Sequence, residues 1–217
     1  MNILTPIFSD NELLPMLPPA ELALLRPLST RVQLVNGQTL HEAGTEVGLI
    51  GREGMVGLPV LLDPQAASFN RAMVQMPGTA LRLPAQALRD NADALPVLHR
   101  LLFQALEVSM AQVAQTAACN SQHSLSQRLA RWLLMAHDRV DGNELAMTQE
   151  FLSIMLAVRR SGVTVASQAL VATGAIQVGR GRMIICDRPA LEAAACGCYG
   201  RVWAFTEGVS ARNPWLL

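Results

Sequence analysis

The sequence contains no lysine: all 17 of its cations are arginine. Every cationic contact is therefore made by a guanidinium, whose planar fork suits two-point binding to phosphate or guanine. A net positive charge is also missing. Seventeen acids balance the arginines, which argues against a general basic coat for nucleic acid. The balance is uneven along the chain, however. Residues 1–120 hold seven arginines and ten acids, whereas residues 121–217 hold ten and seven. A local basic footprint remains open to the second half.

A membrane-length apolar run is missing as well. The stretch from Leu95 to Cys119 is interrupted by His99, Arg100, Gln104 and Glu107. Cysteine is scarce, at four residues, and no signal-peptide pattern is present, so a reducing, cytoplasmic setting is expected. Catalytic patterns are lacking too. There is no Ser-His-Asp order, no paired-carboxylate motif and no phosphate-cradling glycine loop. His41, His99, His123 and His137 are scattered. Neither an enzyme nor a bound cofactor is expected. Cys196-Gly197-Cys198, with Cys186 upstream, departs from zinc spacing, which puts two to four residues between paired ligands. Reduced, structural thiols and no metal site are therefore expected. Cys119 stands beside His123 in the hinge-like "AACNSQH", a second place for a redox or ligand switch.

Turning to what is there, the pattern changes along the chain. Pro18-Pro19-Ala20-Glu21 predicts a helix start, with an acid in the first turn. "RVQLVNGQTLHEAG" alternates apolar and polar residues and turns at Asn36-Gly37, a hairpin signal. "GLIGREGMVGLPVLLDP" and residues 72–83 suggest further short strands, so residues 28–84 read as a small antiparallel β unit.

A long helix follows. Leu95, Leu98, Leu102, Ala105 and Ser109 recur at spacings of three and four, and Val97, Leu101 and Val108 make a second stripe. A helix apolar on two sides must bury both. One face can pack on the β unit and the other on the same helix of a second subunit, with the Leu95–Ser109 seam as the dimerisation face. The alternative is a helix buried wholly within one chain. Ser124 to His137 reads as another helix, followed by a turn at Asp141-Gly142-Asn143.

The most informative stretch is "MTQEFLSIMLAVRRSGVTVAS", residues 147–167. Thr148 is a good N-cap, with Glu150 in the first turn. Counting from Gln149 as one, the fifth and ninth residues, Ser153 and Ala157, are small, and the fifteenth, Val163, is apolar. Two helices crossing at a tight turn require this pattern, so the stretch fits a helix-turn-helix. The second helix would begin near Arg159 and present Arg159, Arg160, Ser161, Thr164 and Val165 outward. Two cations at a helix N-terminus oppose the helix dipole. That cost disappears if the target is DNA, where a guanidinium can donate twice to guanine O6 and N7. Gly162 weakens the second helix and favours a plain helical hairpin with a solvated end. The downstream "AIQVGRGRMIICDR" argues the other way. It alternates about Gly179-Arg180-Gly181-Arg182, a β-hairpin whose Arg180 and Arg182 could lie against phosphates. A helix-turn-helix followed by such a hairpin is a winged helix.

Several stretches together resemble the Crp/Fnr transcription regulators: "GREGMVG" at 51–57, "QTAACNSQHSLSQRLARWLLMAHDRV" at 115–140, the helix-turn-helix at 147–165, and "RGRMIICDRPALEAAACGCY" at 180–199. The resemblance implies an α+β chain with three parts. These are an N-terminal antiparallel, jelly-roll-like β-roll (1–90), a long dimerisation helix (91–120) and a C-terminal winged helix-turn-helix (121–217). It also implies a homodimer on double-stranded DNA with a near-palindromic operator, RNA polymerase as a candidate partner, no membrane association, and a small-molecule effector of unknown identity. DNA contacts would come from Thr148, Arg159, Arg160, Ser161, Thr164, Val165, Arg180 and Arg182. Arg160 falls where family members commonly place a guanine-reading arginine.

Two departures from the family pattern stand out. Only Thr45 separates Ala43-Gly44 from "EVGLIGREGMVG", where members usually carry another hairpin or two. The roll is either shortened there or lacks a segment, and the edges a shortening would leave unpaired favour the second. In the nucleotide pocket, Leu58 and Pro59 stand where cyclic-nucleotide binders place a ribose-holding glutamate, and Arg71 is the remnant candidate for the phosphate site. Leucine accepts no hydrogen bond, so a cyclic nucleotide bound in the family's usual way is not expected. A ligand or thiol-redox sensor acting through protein contacts, its helix-turn-helix no longer reading DNA, is the competing expectation.

Overall fold

The computed structural model describes residues 11–41, 48–58 and 72–211. The chain divides into two compact units. Among the described residues, one takes in 11–41, 50–58, 72–110 and 207–211, the other 48–49 and 111–206.

In the first unit, helix α1 (Pro19–Leu28) starts where the double proline places it. Its Glu21 is buried, and the two carboxylate oxygens accept from the backbone N–H groups of Val97 and Leu98, at 2.9 and 2.8 Å. Those donors are the open N-terminus of the long helix α3 (Pro96–Gln122), which begins on a proline that needs no partner for a missing N–H. An acid read as favourable for its own helix thus caps a helix 76 residues on.

Strands β1 (Thr30–Leu34), β2 (Thr39–His41), β3 (Ala72–Met73) and β4 (Gly78–Arg82) are antiparallel, but Asn36-Gly37 does not close a hairpin. β1 pairs with β4, and β2 with β3. Residues 30–41 and 72–82 therefore run side by side as one ribbon, held across the break by Gly37 N–H to the Val74 carbonyl and Val74 N–H to the Gln38 carbonyl, both 2.8 Å. Gly37 takes φ +80, the left-handed conformation that glycine adopts without steric cost. The local turn signal was correct; the pairing was decided by the distant strand. No strand forms at 48–58, against expectation. Thr45, Pro59 and Arg71 lie outside the described residues. A short helix α2 (Ala85–Asp90) leads to α3.

The core of this unit corrects the expected dimer seam. Leu95, Leu98 and Leu102 are buried within the chain, together with Leu14, Leu25 and Leu88, and Ala105 packs against them. Val97 and Leu101 join the same cluster, while Val108 is half-buried, so both expected stripes turn inward over the first turns of the helix. Ser109 is half-buried. The large apolar side chains of α3 left exposed are Phe103, Met110 and Val113.

The second unit contains α4 (Leu125–His137), β5 (Glu144–Leu145), α5 (Gln149–Met155), α6 (Arg160–Ala172), β6 (Ile176–Gly179), β7 (Arg182–Ile185) and α7 (Arg188–Ala194). Helix α8 (Cys198–Ala211) begins in it. The strands form one antiparallel sheet in the order β5-β7-β6. Leu129, Leu133, Leu145, Leu152, Val163, Leu170, Ile176 and Met183 are almost fully buried and tie the helices to the sheet. Trp132 of α4 meets Phe151 of α5 edge to face at 6.3 Å.

Candidate nucleic-acid interface

The turn between α5 and α6 is built from backbone outward. Thr148 caps α5, its hydroxyl oxygen accepting from Phe151 N–H at 3.0 Å. At the other end of α5, Val158 N–H reaches the Ser153 carbonyl and Ala157 N–H the Ile154 carbonyl, at 3.0 and 3.1 Å. This pair of bonds is a Schellman motif, and it puts Ala157 at φ +52. Ala157 is exposed, so its small size does not serve helix crossing, and its Cβ still bears the cost of the left-handed conformation; Ser153 is the buried member of the pair. The turn is also clamped by Arg128 of α4, which donates to the Leu156 carbonyl at 2.6 Å. Arg128 lies 28 residues from its acceptor, and no local pattern marks that role.

Helix α6 then starts at Arg160 with Arg159 as its N-cap residue. No side chain caps this end and no acid lies in its first turn. Val163, Ala166 and Leu170 bury the inner face. Gly162 has a packing reason: a Cβ there would meet the Leu125 side chain at 3.0 Å. The residue that weakens the helix thus lets α6 approach α4.

Arg159, Arg160, Ser161 and Val165 are exposed, Val165 at 67%. Among the described residues, no carboxylate pairs with Arg159 or Arg160. Thr164 is half-buried, and its hydroxyl lies 2.9 Å from Gln149 Oε1 and 3.2 Å from the Arg160 carbonyl. It ties α5 to α6, which differs from the outward role expected of it. In the β6–β7 hairpin, Arg180 and Gly181 form the tip, with Gly181 at φ +72. Arg180 is exposed. Arg182 is exposed too, but its guanidinium lies 3.4 Å from Glu144 of β5. The strand β5 was not foreseen; its two residues are too short for any periodicity.

The family model of the Crp-like helix-turn-helix domain matches residues 127–194. Residues 127–194 are a Crp-like helix-turn-helix domain. Solved structures agree in fold. A candidate Crp/Fnr-family transcriptional regulator from Eubacterium rectale superposes with a TM-score of 0.62 at 16% identity, over 86% of this chain and 98% of that one. A Crp/Fnr-family regulator from Thermus thermophilus gives 0.59 at 17%, over 76% and 98%. FixK2 from Bradyrhizobium japonicum gives 0.58 at 12%, over 78% and 98%. No curated protein sequence matches. The family match is confined to residues 127–194, and the solved structures show a likeness of fold over most of the chain. No helix among the described residues is long and apolar enough to cross a membrane.

At the start of α7, Arg188 gathers a polar network. It bonds Asp138 at 2.8 Å, the Tyr199 hydroxyl at 2.6 Å, Glu192 at 2.8 Å and the His137 ring at 2.9 Å. Burial alone would lower the Arg188 pKa, but the hydrogen bonds to Asp138 and Glu192 outweigh it and the net direction is upward. Burial, and then the neighbouring Asp138 carboxylate, push the Tyr199 phenol up to about 12.

The cysteines group in a way their spacing did not suggest. Cys186 is exposed and outside any cluster, while Cys119, Cys196 and Cys198 are buried together with His123 beside them. Burial first, then the Cys196 hydrogen bond, push the Cys119 thiol up to about 12, so as a free thiol it keeps its proton. In the first unit, Leu58 is 7% exposed within the leucine core, which leaves it no part in holding a polar ligand.

Proposed function

We propose that this chain is a homodimeric, sequence-specific DNA-binding transcription regulator. The observation that carries the reading is the bare N-terminus of α6, with Arg159 and Arg160 exposed, unpaired by any described carboxylate and set on a clamped turn. In a major groove, Arg160 donates to guanine O6 and N7, worth about 1–3 kcal/mol of discrimination. The uncapped N–H groups and Arg159 suit a phosphate. Ser161 and Val165 reach the neighbouring base edges, Val165 offering a methyl contact to thymine. Arg180 at the hairpin tip adds affinity without sequence information. Thr148 is exposed at the start of α5 and suits a backbone phosphate, whereas Arg182 divides its charge between Glu144 and DNA.

Dimerisation is assigned to the exposed stripe of α3 that contains Phe103 and Met110, at 59% and 65% exposure, in place of the Leu95–Ser109 seam. Side chains of that size and character are costly to leave in water on a long helix. Two copies place two reading helices on a near-palindromic operator about one helical turn apart. An effector of unknown chemistry in the N-terminal unit would shift the dimer between arrangements that match the groove spacing and those that do not. RNA polymerase is the partner such a regulator would engage, and the cytoplasm its place of action.

Selection of bound duplexes from a random pool tests the reading. An enriched inverted repeat is expected. Binding that is uniformly weak and vanishes with modest salt would instead favour a sensor working through protein contacts.

A further inference from the structure

Cys119 lies in the last turn of α3, and His123 follows directly after the helix, its N–H bonded to the Cys119 carbonyl at 3.1 Å. The segment entering α8 carries Cys196 and Cys198. The fold brings the four together: each offers one ligand atom, and all four atoms lie within 4.8 Å of one another. Cys119 Sγ is 3.4 Å from Cys196 Sγ, and Cys198 Sγ is 3.6 Å from His123 Nδ1. A tetrahedral zinc ion with its usual bond lengths separates two sulfur ligands by roughly 3.8 Å, and a sulfur from a nitrogen by about 3.5 Å. We propose that Cys119, His123, Cys196 and Cys198 form a tetrahedral site for a divalent metal ion of the zinc class.

Two neighbours support the assignment. Gln115 Nε2 donates to Cys198 Sγ at 2.9 Å, the kind of contact that orients and stabilises a metal-bound thiolate. Arg131 is 4% exposed, and its Nε has no acceptor among the described residues. Its one polar contact there is to the Thr116 hydroxyl, at 3.3 Å. A buried cation in that state is costly. Three thiolates around a divalent ion carry a net charge of −1, and Arg131 reaches α3 at Thr116, three residues before Cys119. Loading the site therefore offsets the cost of burying this arginine.

The chemistry balances without an oxidant. Three metal–sulfur bonds and one metal–nitrogen bond form, three thiol protons leave to solvent, and no electron moves. A Cys119–Cys196 disulfide would need an oxidant and would leave Cys198, His123 and Gln115 without a part. An iron–sulfur cluster inserts several atoms between its cysteines and needs them farther apart than these donors stand. With four protein ligands the site is closed, so it acts as a staple and not as a catalyst. It joins chain on either side of the Crp-like domain, residues 119–123 before it and 196–198 after it.

The test uses the full chain purified in reducing buffer with zinc supplied during expression. One zinc per chain by elemental analysis is expected. Cobalt substituted for zinc should give thiolate charge-transfer bands and the intense visible bands of tetrahedral cobalt. Cys119→Ser, Cys196→Ser and His123→Ala should each lose the metal, whereas Cys186→Ser should keep it in full. Because a ligand variant could misfold, thiol titration of the unaltered chain supplies a second readout. Loaded protein should show one fast thiol, Cys186, and a chelator should release the three buried ones. Less than a tenth of an equivalent of metal with four thiols equally slow or fast before and after chelation would overturn the site. So would a protein mass two units low from a disulfide, or iron with acid-labile sulfide in place of zinc.

Discussion

The helices of the second unit begin in two different ways. At α4, Ser124 and Gln127 exchange hydrogen bonds in a full capping box. Thr148 caps α5, and Asp187 caps α7 by accepting from Ala190 N–H at 3.0 Å. Helix α6 has none of this; an arginine stands at its N-cap and another follows. Side-chain caps are worth about 1 kcal/mol each, and a cation at an N-terminus costs a few tenths more. Among α4 to α7, the helix without a side-chain cap is the one whose start is exposed and, on the reading above, meets DNA. At α4, α5 and α7 the helix start is stabilised by its own cap; at α6 that stabilisation is left unused, which on the proposed reading leaves the free N–H groups and guanidinium groups for a polyanion.

Exchanging the two kinds of helix start should separate stability from binding. Arg159→Asp should give the largest effect, and with opposite signs in two assays. Operator affinity should fall more than tenfold in filter binding, while chemical denaturation should show a gain of about 0.5–2 kcal/mol from the new cap. Ser124→Ala should do the reverse, costing about 1 kcal/mol of stability and leaving the affinity of the folded protein unchanged. Ala157→Gly relieves a left-handed alanine and should stabilise the unit by about 1 kcal/mol in the same denaturation assay. Tyr199 supplies a pH test. Its pKa in the folded chain, about 12, lies above the ordinary phenol value of 10. Its contribution is therefore complete below pH 10 and is lost as pH rises through 12. Tyr199→Phe should flatten the pH dependence of stability across that window. Arg182→Ala should matter least: its pair with Glu144 is half-exposed, so stability should change by under about 0.5 kcal/mol.

Local features were legible in the sequence wherever a short-range rule governs them. The proline-marked start of α1, the N-cap at Thr148, the tight turn around Ala157 and the Arg180-Gly181 hairpin all depend on residues within a few positions of one another. What escaped was decided by distant partners. Asn36-Gly37 turns as its composition demands, yet β1 pairs with β4, more than 40 residues on. The α3 stripes were visible, but periodicity reports which faces are apolar and not whether a neighbour of the same chain covers them. Leu95 and Leu98 prove to be core. Gly162 looked like a weakness because its neighbour Leu125 cannot be seen from position 162. The four-donor cluster was hidden for the same reason: a Cys-x3-His and a Cys-x-Cys over 70 residues apart fit no single spacing rule.

On the proposed reading, Arg160 reads a base pair. The most direct measurement is the affinity of Arg160→Ala, at one fixed salt concentration, for the selected operator and for all single-base variants of one half-site. A loss of roughly 5- to 150-fold on the operator is expected, with preference relaxed at one position per half-site and retained at the others. Unchanged preference at every position, or an equal loss on operator and unrelated DNA, would contradict it.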